Sequence, residues 1–318
     1  MEDIMKRKLI TIISLLLALC LSACGVGAGA QGNDASDNNT DTAFDAEAYY
    51  KRLESCRDQI RSKTDFEPDI VVVLGTGLGG FADQVEIECE IPYSEIEGFP
   101  ISTAPSHEGK LIFGTYKGKK LAVMKGRVHL YEGYDVHDVV LPIRVLHMLG
   151  ANTAINTHSV GSLNEDYRPG EFMVSTDHIS SFVPSPLTGA NIEEFGPRFQ
   201  GMENAYDKDL NKLIQKVGKE NGIKVHSGVY IQVPGPQYET PAEIKMYREM
   251  GADTVGMSTV VEVIAEVHMG MRVCDINNIT NMGAGMEENV TEELIEETAK
   301  KSAGDFVKLV SGVIEQMN

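Results

Sequence analysis

The sequence predicts an α/β fold, a single domain with a central mixed β-sheet flanked by helices. Short β-branched runs bounded by Gly, Pro or Asp recur along the chain, and amphipathic stretches of helical period fill the gaps between them. No internal repeat or second linker interrupts this alternation. With 318 residues, 42% of them hydrophobic, there is enough apolar material for a full core.

The N-terminal stretch reads as an address. Lys6, Arg7 and Lys8 precede an apolar run over 9–21, and the small residues Ser22 and Ala23 lead to Cys24. The run is shorter than the roughly 20 apolar residues a spanning helix needs, so cleavage is expected. Leu-Ser-Ala-Cys resembles the lipobox of bacterial lipoproteins, in which Cys24 takes the lipid; the competing reading is an ordinary secretory signal with an incidental Cys. Residues 24–43 hold almost nothing to bury and read as a solvated tether, about 25 Å in r.m.s. span. The expected organisation is a signal over 1–23, a tether over 24–43 and a folded domain over 44–318. Its expected location is the extracytoplasmic face of the cell membrane, by lipid anchor.

Within the domain, strands are predicted over 69–75, 120–126, 151–157, 171–177, 224–233, 252–257 and 271–279. Helices are predicted over 136–149, 204–220, 242–250, 260–269 and 291–316. The start of the third is sharp: Thr240 supplies an N-cap, Pro241 the first helical position and Glu243 the reciprocal acid of a capping box. Of the five cysteines, Cys56, Cys89 and Cys274 remain in the domain without metal-site or redox spacing. A net charge of -19 opposes a phosphate backbone, which excludes a nucleic-acid polymer as partner.

Open α/β sheets bind ligands beyond the carboxyl ends of their strands. The first such loop is GTGLGG, in which Gly75, Gly77 and Gly80 fit the dinucleotide pattern. That pattern needs a full helix and a second strand ending in a ribose-binding acid, whereas here only FADQV precedes the polar EIECEIPYSEIEGFP. What survives is a glycine loop that brings backbone N–H groups and the Thr76 hydroxyl to a phosphate.

VVVLGTGLGG, FPISTAPSHEGKLIFG, MKGRVHLYEGYDVHDVVLPIRVLHMLG, GPQYETPAE, GADTVGMSTVVEVIAEVHMGMRV and ITN follow one another at close to the spacing of the trimeric purine nucleoside phosphorylase family. The chain resembles that family over nearly all of 66–318. The resemblance implies the nucleoside phosphorylase fold, a homotrimer, and exchange of a purine nucleoside with inorganic phosphate to give free base and pentose 1-phosphate. Phosphate is a co-substrate, and no metal or organic cofactor is implied.

Attack at the anomeric carbon passes through an oxocarbenium-like state, so such a site must hold an anion and stabilise charge on the departing base. By resemblance, Thr76, His107, Arg127, His129, Ser258 and the backbone N–H of Ser159 bind phosphate. Tyr131 and Met257 line the pentose, and Val160 backs the purine. Glu239, beside Tyr238, accepts from the purine N1–H, and Asn281 faces O6 and N7; together they select a 6-oxopurine. His129, Glu239 and Asn281 are the implied catalytic residues. Phe199 matches an aromatic that enters the neighbouring subunit's site. Taken singly, Arg127 and His129 suit a solvated strand end, Ser258 and Thr259 a helix cap, and Glu239 an acid at a helix start.

The chain also departs from the family. Residues 157–164, THSVGSLN, replace a Thr-Asn-Ala-Ala-Gly-Gly loop, so His158 stands where the family has asparagine. GSL also resembles methylthioadenosine phosphorylases. The family's histidine toward the sugar 5'-hydroxyl is replaced by Asn289 and Thr291, a stretch that also reads as a cap of Asn289 with Glu292. The expected activity is phosphorolysis of inosine, guanosine and their deoxy forms in purine salvage. A methylthioadenosine phosphorylase-like enzyme and a non-catalytic nucleoside-binding lipoprotein are the alternatives.

Overall fold

Asp45 opens the first helix: its carboxylate accepts from the Ala48 backbone N–H, and α1 (Ala46–Arg61) then buries Tyr49, Leu53, Cys56 and Ile60 along one stripe. The computed structural model describes residues 44–104, 107–286 and 290–317, all within one compact unit. The expected signal, tether and lipidation site at Cys24 lie outside the described residues.

The strands are β1 (Ile70–Leu74), β2 (Glu86–Pro92), β3 (Lys110–Tyr116), β4 (Lys119–Lys125), β5 (Thr153–Ser162), β6 (Phe172–Ile179), β7 (Val225–Gln232), β8 (Thr254–Gly256) and β9 (Arg272–Met282). The remaining helices are α2 (Val136–Met148), α3 (Lys208–Glu220), α4 (Pro241–Glu249), α5 (Val260–His268) and α6 (Glu292–Gln316).

β1 is buried throughout because it pairs in parallel with β4 and β5 and is covered on both faces. Val71 and Val73 pack into a core with α1, α2 and α5; Ile70, Val72 and Leu74 pack into a second core with α3 and α6. A strand so placed reads as a continuous apolar run. The opposite holds at the sheet edge. β2 pairs only with β3 and leaves most of its side chains in water; EIECEIP does alternate acid with Ile or Cys, but only Ile91 is buried, and the acid-rich stretch reads as polar rather than as a strand. β3 returns into β4 through Lys117 and Gly118, whose φ values of 51° and 78° match a tight hairpin turn.

β5 runs past the predicted 151–157 because β9 pairs with it from Thr153↔Arg272 to Ser162↔Met282. β9 continues antiparallel to β6, β6 parallel to β7 and β7 parallel to β8, and β8 returns antiparallel to β5. The sheet is therefore mixed, and five of its strands close into a ring.

Candidate active site

β1 and β5 part after the pair Val73↔Asn156, and beyond the split lies a cavity of about 190 Å³. Gly75 and Thr76 beyond β1, Arg127 beyond β4 and Ser258 beyond β8 line it, as binding at carboxyl ends predicts. The glycine loop is compact. A Cβ on Gly75 would sit 2.7 Å from His158 Cα, and Gly77, at φ 75°, would bring one within 2.6 Å of Ala299 Cβ. A short 3-10 turn over Gly79–Gln84 follows and leads into β2, so the dinucleotide helix is absent here.

Arg127 is almost wholly buried, and its partners are far away in sequence. One Nη1–H donates to the Thr157 carbonyl at 2.8 Å, while Nη2 lies 3.1 Å from Glu262 on α5, itself buried. A buried guanidinium needs such pairing, and its fork geometry then becomes fixed. His129 is held as firmly: Glu132 Oε1 accepts from its backbone N–H at 2.7 Å and lies 2.9 Å from its Nδ1. With Nδ1–H given to Glu132, Nε2 is the ring nitrogen left for a ligand. Burial pushes His129 below the ordinary histidine range. Burial opposes ionisation of Glu132 too, but hydrogen bonds from His129 and Thr103 outweigh it and bring its pKa down to about 2. Tyr131 stacks on His129 at 4.5 Å, its phenol pushed up to about 12 by burial, so it stays a donor.

The Ser258 corner is built rather than merely capped. Thr259 sits at φ 84°, an unusual value for a β-branched residue, and its side chain makes no cap bond to α5. From below, Tyr230 OH donates to the Ser258 carbonyl at 2.8 Å and lies 3.4 Å from its N–H. The corner leads into the N-terminus of α5, where backbone dipoles favour an anion. Ser159 Oγ donates to the Thr76 carbonyl at 3.0 Å, tying β5 to the glycine loop.

Glu239, Tyr238, Met257, Val160 and Asn281 line the same cavity. Burial raises the Glu239 pKa above that of an ordinary carboxylate. The capping box at Thr240 is present in both directions and fixes where the chain leaves Glu239. Asn281 is orientated by Thr280 Oγ1, which donates to its Oδ1 at 3.0 Å, and by donation to the Met282 carbonyl. The cavity thus joins a cationic, donor-rich set to a second set with one acid and one amide, with apolar contacts between.

Two predicted residues lie outside the lining. His107 sits behind it, its ring 5.2 Å from that of His129 and its Nδ1 against the Arg127 backbone, 3.2 Å from the N–H and 2.9 Å from the carbonyl. Phe199 is 90% exposed on the surface. The cap expected of Asn289 with Glu292 is corrected: Thr291 caps α6, accepting from the Leu294 N–H at 3.2 Å, because its side chain lies one residue before the first helical turn. Asn289 is outside the described residues, and Glu292 joins the cavity lining. Sequence reading missed Glu132, Glu262 and Asp275. Glu262 and Glu266 did leave a signal, as two acids four residues apart in the otherwise apolar VVEVIAEVH.

Comparison with known proteins identifies the family. The model of the Phosphorylase superfamily matches residues 69–315. Purine nucleoside phosphorylase 1 of Geobacillus stearothermophilus is 42% identical over 266 residues, which is 83% of this chain and 97% of that protein. Purine nucleoside phosphorylase of Schistosoma mansoni solved with inosine superposes at TM-score 0.80 and 37% identity, over 84% of this chain and 97% of that one. The same enzyme solved with adenosine superposes at TM-score 0.80 and 38% identity, over 84% and 98%. The chain belongs to the phosphorylase superfamily and, within it, to the purine nucleoside phosphorylase family.

Proposed function

We propose that the protein catalyses phosphorolysis of 6-oxopurine nucleosides, inosine and guanosine with their deoxy forms, to free base and (deoxy)ribose 1-phosphate in purine salvage. The observation that carries this reading is one cavity holding both the buried Arg127, with His129, Thr76 and Ser258, and the acid–amide pair Glu239 and Asn281. A pure nucleoside binder has no use for the first set.

In this reading phosphate lies against Arg127, His129, Thr76, Ser258 and the Ser159 N–H, with His107 supporting from behind, and the pentose lies over Tyr131 and Met257. A phosphate oxygen forms the bond to the anomeric carbon as the bond to purine N9 breaks, and the electron pair leaves with the base. Asn281 faces O6 and N7, and its contact strengthens as charge builds there. Glu239 accepts from N1–H. Adenine has no N1–H, so binding it would leave the buried Glu239 unpaired. Inosine and adenosine both appear in solved relatives, and the choice here rests on Glu239 and Asn281.

The exposed Phe199 suits insertion into a neighbouring copy in a homotrimer, which sedimentation equilibrium tests. The Leu21 to Cys24 tetrapeptide supports a lipid anchor outside the cytoplasmic membrane. Cys24→Ala should release the protein from membranes or block its processing; unchanged membrane association would refute the anchor. For the reaction itself, phosphorus NMR of inosine plus phosphate should show ribose 1-phosphate appearing with hypoxanthine. Base release that proceeds equally without phosphate would refute phosphorolysis.

A further inference from the structure

We propose that His158 is a phosphate-binding residue of this cavity, orientated by Asp275 from inside the ring of strands. The inference rests on the phosphorolysis reading and concerns a position where this chain departs from the family's asparagine.

His158 lines the cavity, yet its side chain is only 3% exposed. Its Nε2 lies 2.9 and 3.2 Å from the two carboxylate oxygens of Asp275 on β9. Asp275 is also buried and accepts from Ser175 Oγ at 2.6 Å and Asn277 Nδ2 at 3.0 Å. Thr254 completes the network by donating to Asn277 Oδ1 at 3.0 Å. Nε2 is therefore committed, and the ring cannot turn without breaking a buried network.

The other ring nitrogen is different. Nδ1 is buried and has no partner, a state that is costly unless a ligand completes it. Several other neighbours of His158 belong to the anion set. Its Cα supports Gly75, the Thr157 carbonyl before it holds Arg127, and Ser159 after it holds Thr76. Its ring meets that of Tyr230 edge-on at 4.6 Å, and Tyr230 holds Ser258. No hydrogen bond links it to Glu239 or Asn281 among the described residues. One proton between Nδ1 and a phosphate oxygen, brought in by monobasic phosphate, makes the contact.

Steady-state kinetics of the full chain with His158→Asn and Asp275→Asn decide the matter. The proposal expects the phosphate KM to rise about tenfold in His158→Asn, the scale of one hydrogen bond to a charged group, while the inosine KM stays within about twofold. Asp275, as a positioning residue, should give the same split. A phosphate KM that stays put, or both KM values rising together, would overturn the assignment. Should either variant fail to fold, the wild-type chain labelled with 15N-histidine answers instead. Its His158 Nδ1 resonance must move on adding inorganic phosphate alone, and a resonance that moves only with inosine, or not at all, refutes the contact. If the wild type makes no ribose 1-phosphate, it is the phosphorolysis reading that fails.

Discussion

Arg127 shows how far a site residue depends on a partner that sequence order hides. Glu262 lies 135 positions away, and only the packing of α5 against the end of β4 brings the two together. Arg127→Met should therefore do two separable things. It removes the anion contact, raising the phosphate KM far more than the nucleoside KM, and it strands a buried carboxylate, costing about 3–5 kcal/mol of stability. Adding Glu262→Leu should restore most of the stability but none of the phosphate affinity. Chemical denaturation beside kinetics separates the effects, and restored catalysis in the double variant would show that Arg127 serves the fold alone. The motifs made Arg127, His129, Glu239 and Asn281 legible in the sequence. The buried acids behind the site, Glu132 on His129, Glu262 on Arg127 and Asp275 on His158, were not, because acids are usually solvated and the sequence does not mark the ones that are buried and paired.

At the scale of elements, legibility followed burial. The all-apolar β1 and the capped α4 matched their predicted positions within a residue or so, while β2 was missed despite its alternation, because the three acids of an exposed edge strand made it read as polar. β5 was read short for another reason: HSVGS lacks strand character, and the long pairing with β9 imposes it. The start of α4 links element to site, since the capping box at Thr240 follows Glu239 directly. Thr240→Ala should cost about 1 kcal/mol of stability, the usual worth of an N-cap. It should also raise the inosine KM more than the phosphate KM. Equal effects on both would mean that the cap stabilises the helix without placing Glu239.

Over the whole molecule, buried neutral histidines tie stability to pH. His107 is pushed down to about 4 by burial and by the nearby His129, against an ordinary value of 6.5. The unfolded chain thus takes up a proton near pH 6.5 that the folded protein refuses until about pH 4. The contribution of His107 is full above that window and is lost as pH falls through it. Thermal melting of His107→Gln should therefore decline less steeply than wild type between those limits, and parallel curves would contradict the assignment.

The central claim is that one cavity reads phosphate through Arg127 and a 6-oxopurine through Glu239 and Asn281. Its most direct test is kcat/KM for inosine against adenosine at saturating phosphate. A site whose buried acid requires N1–H should favour inosine by roughly a thousandfold or more. Equal turnover, or a preference for adenosine, would contradict the account and leave the GSL stretch at the end of β5 as the better guide to substrate.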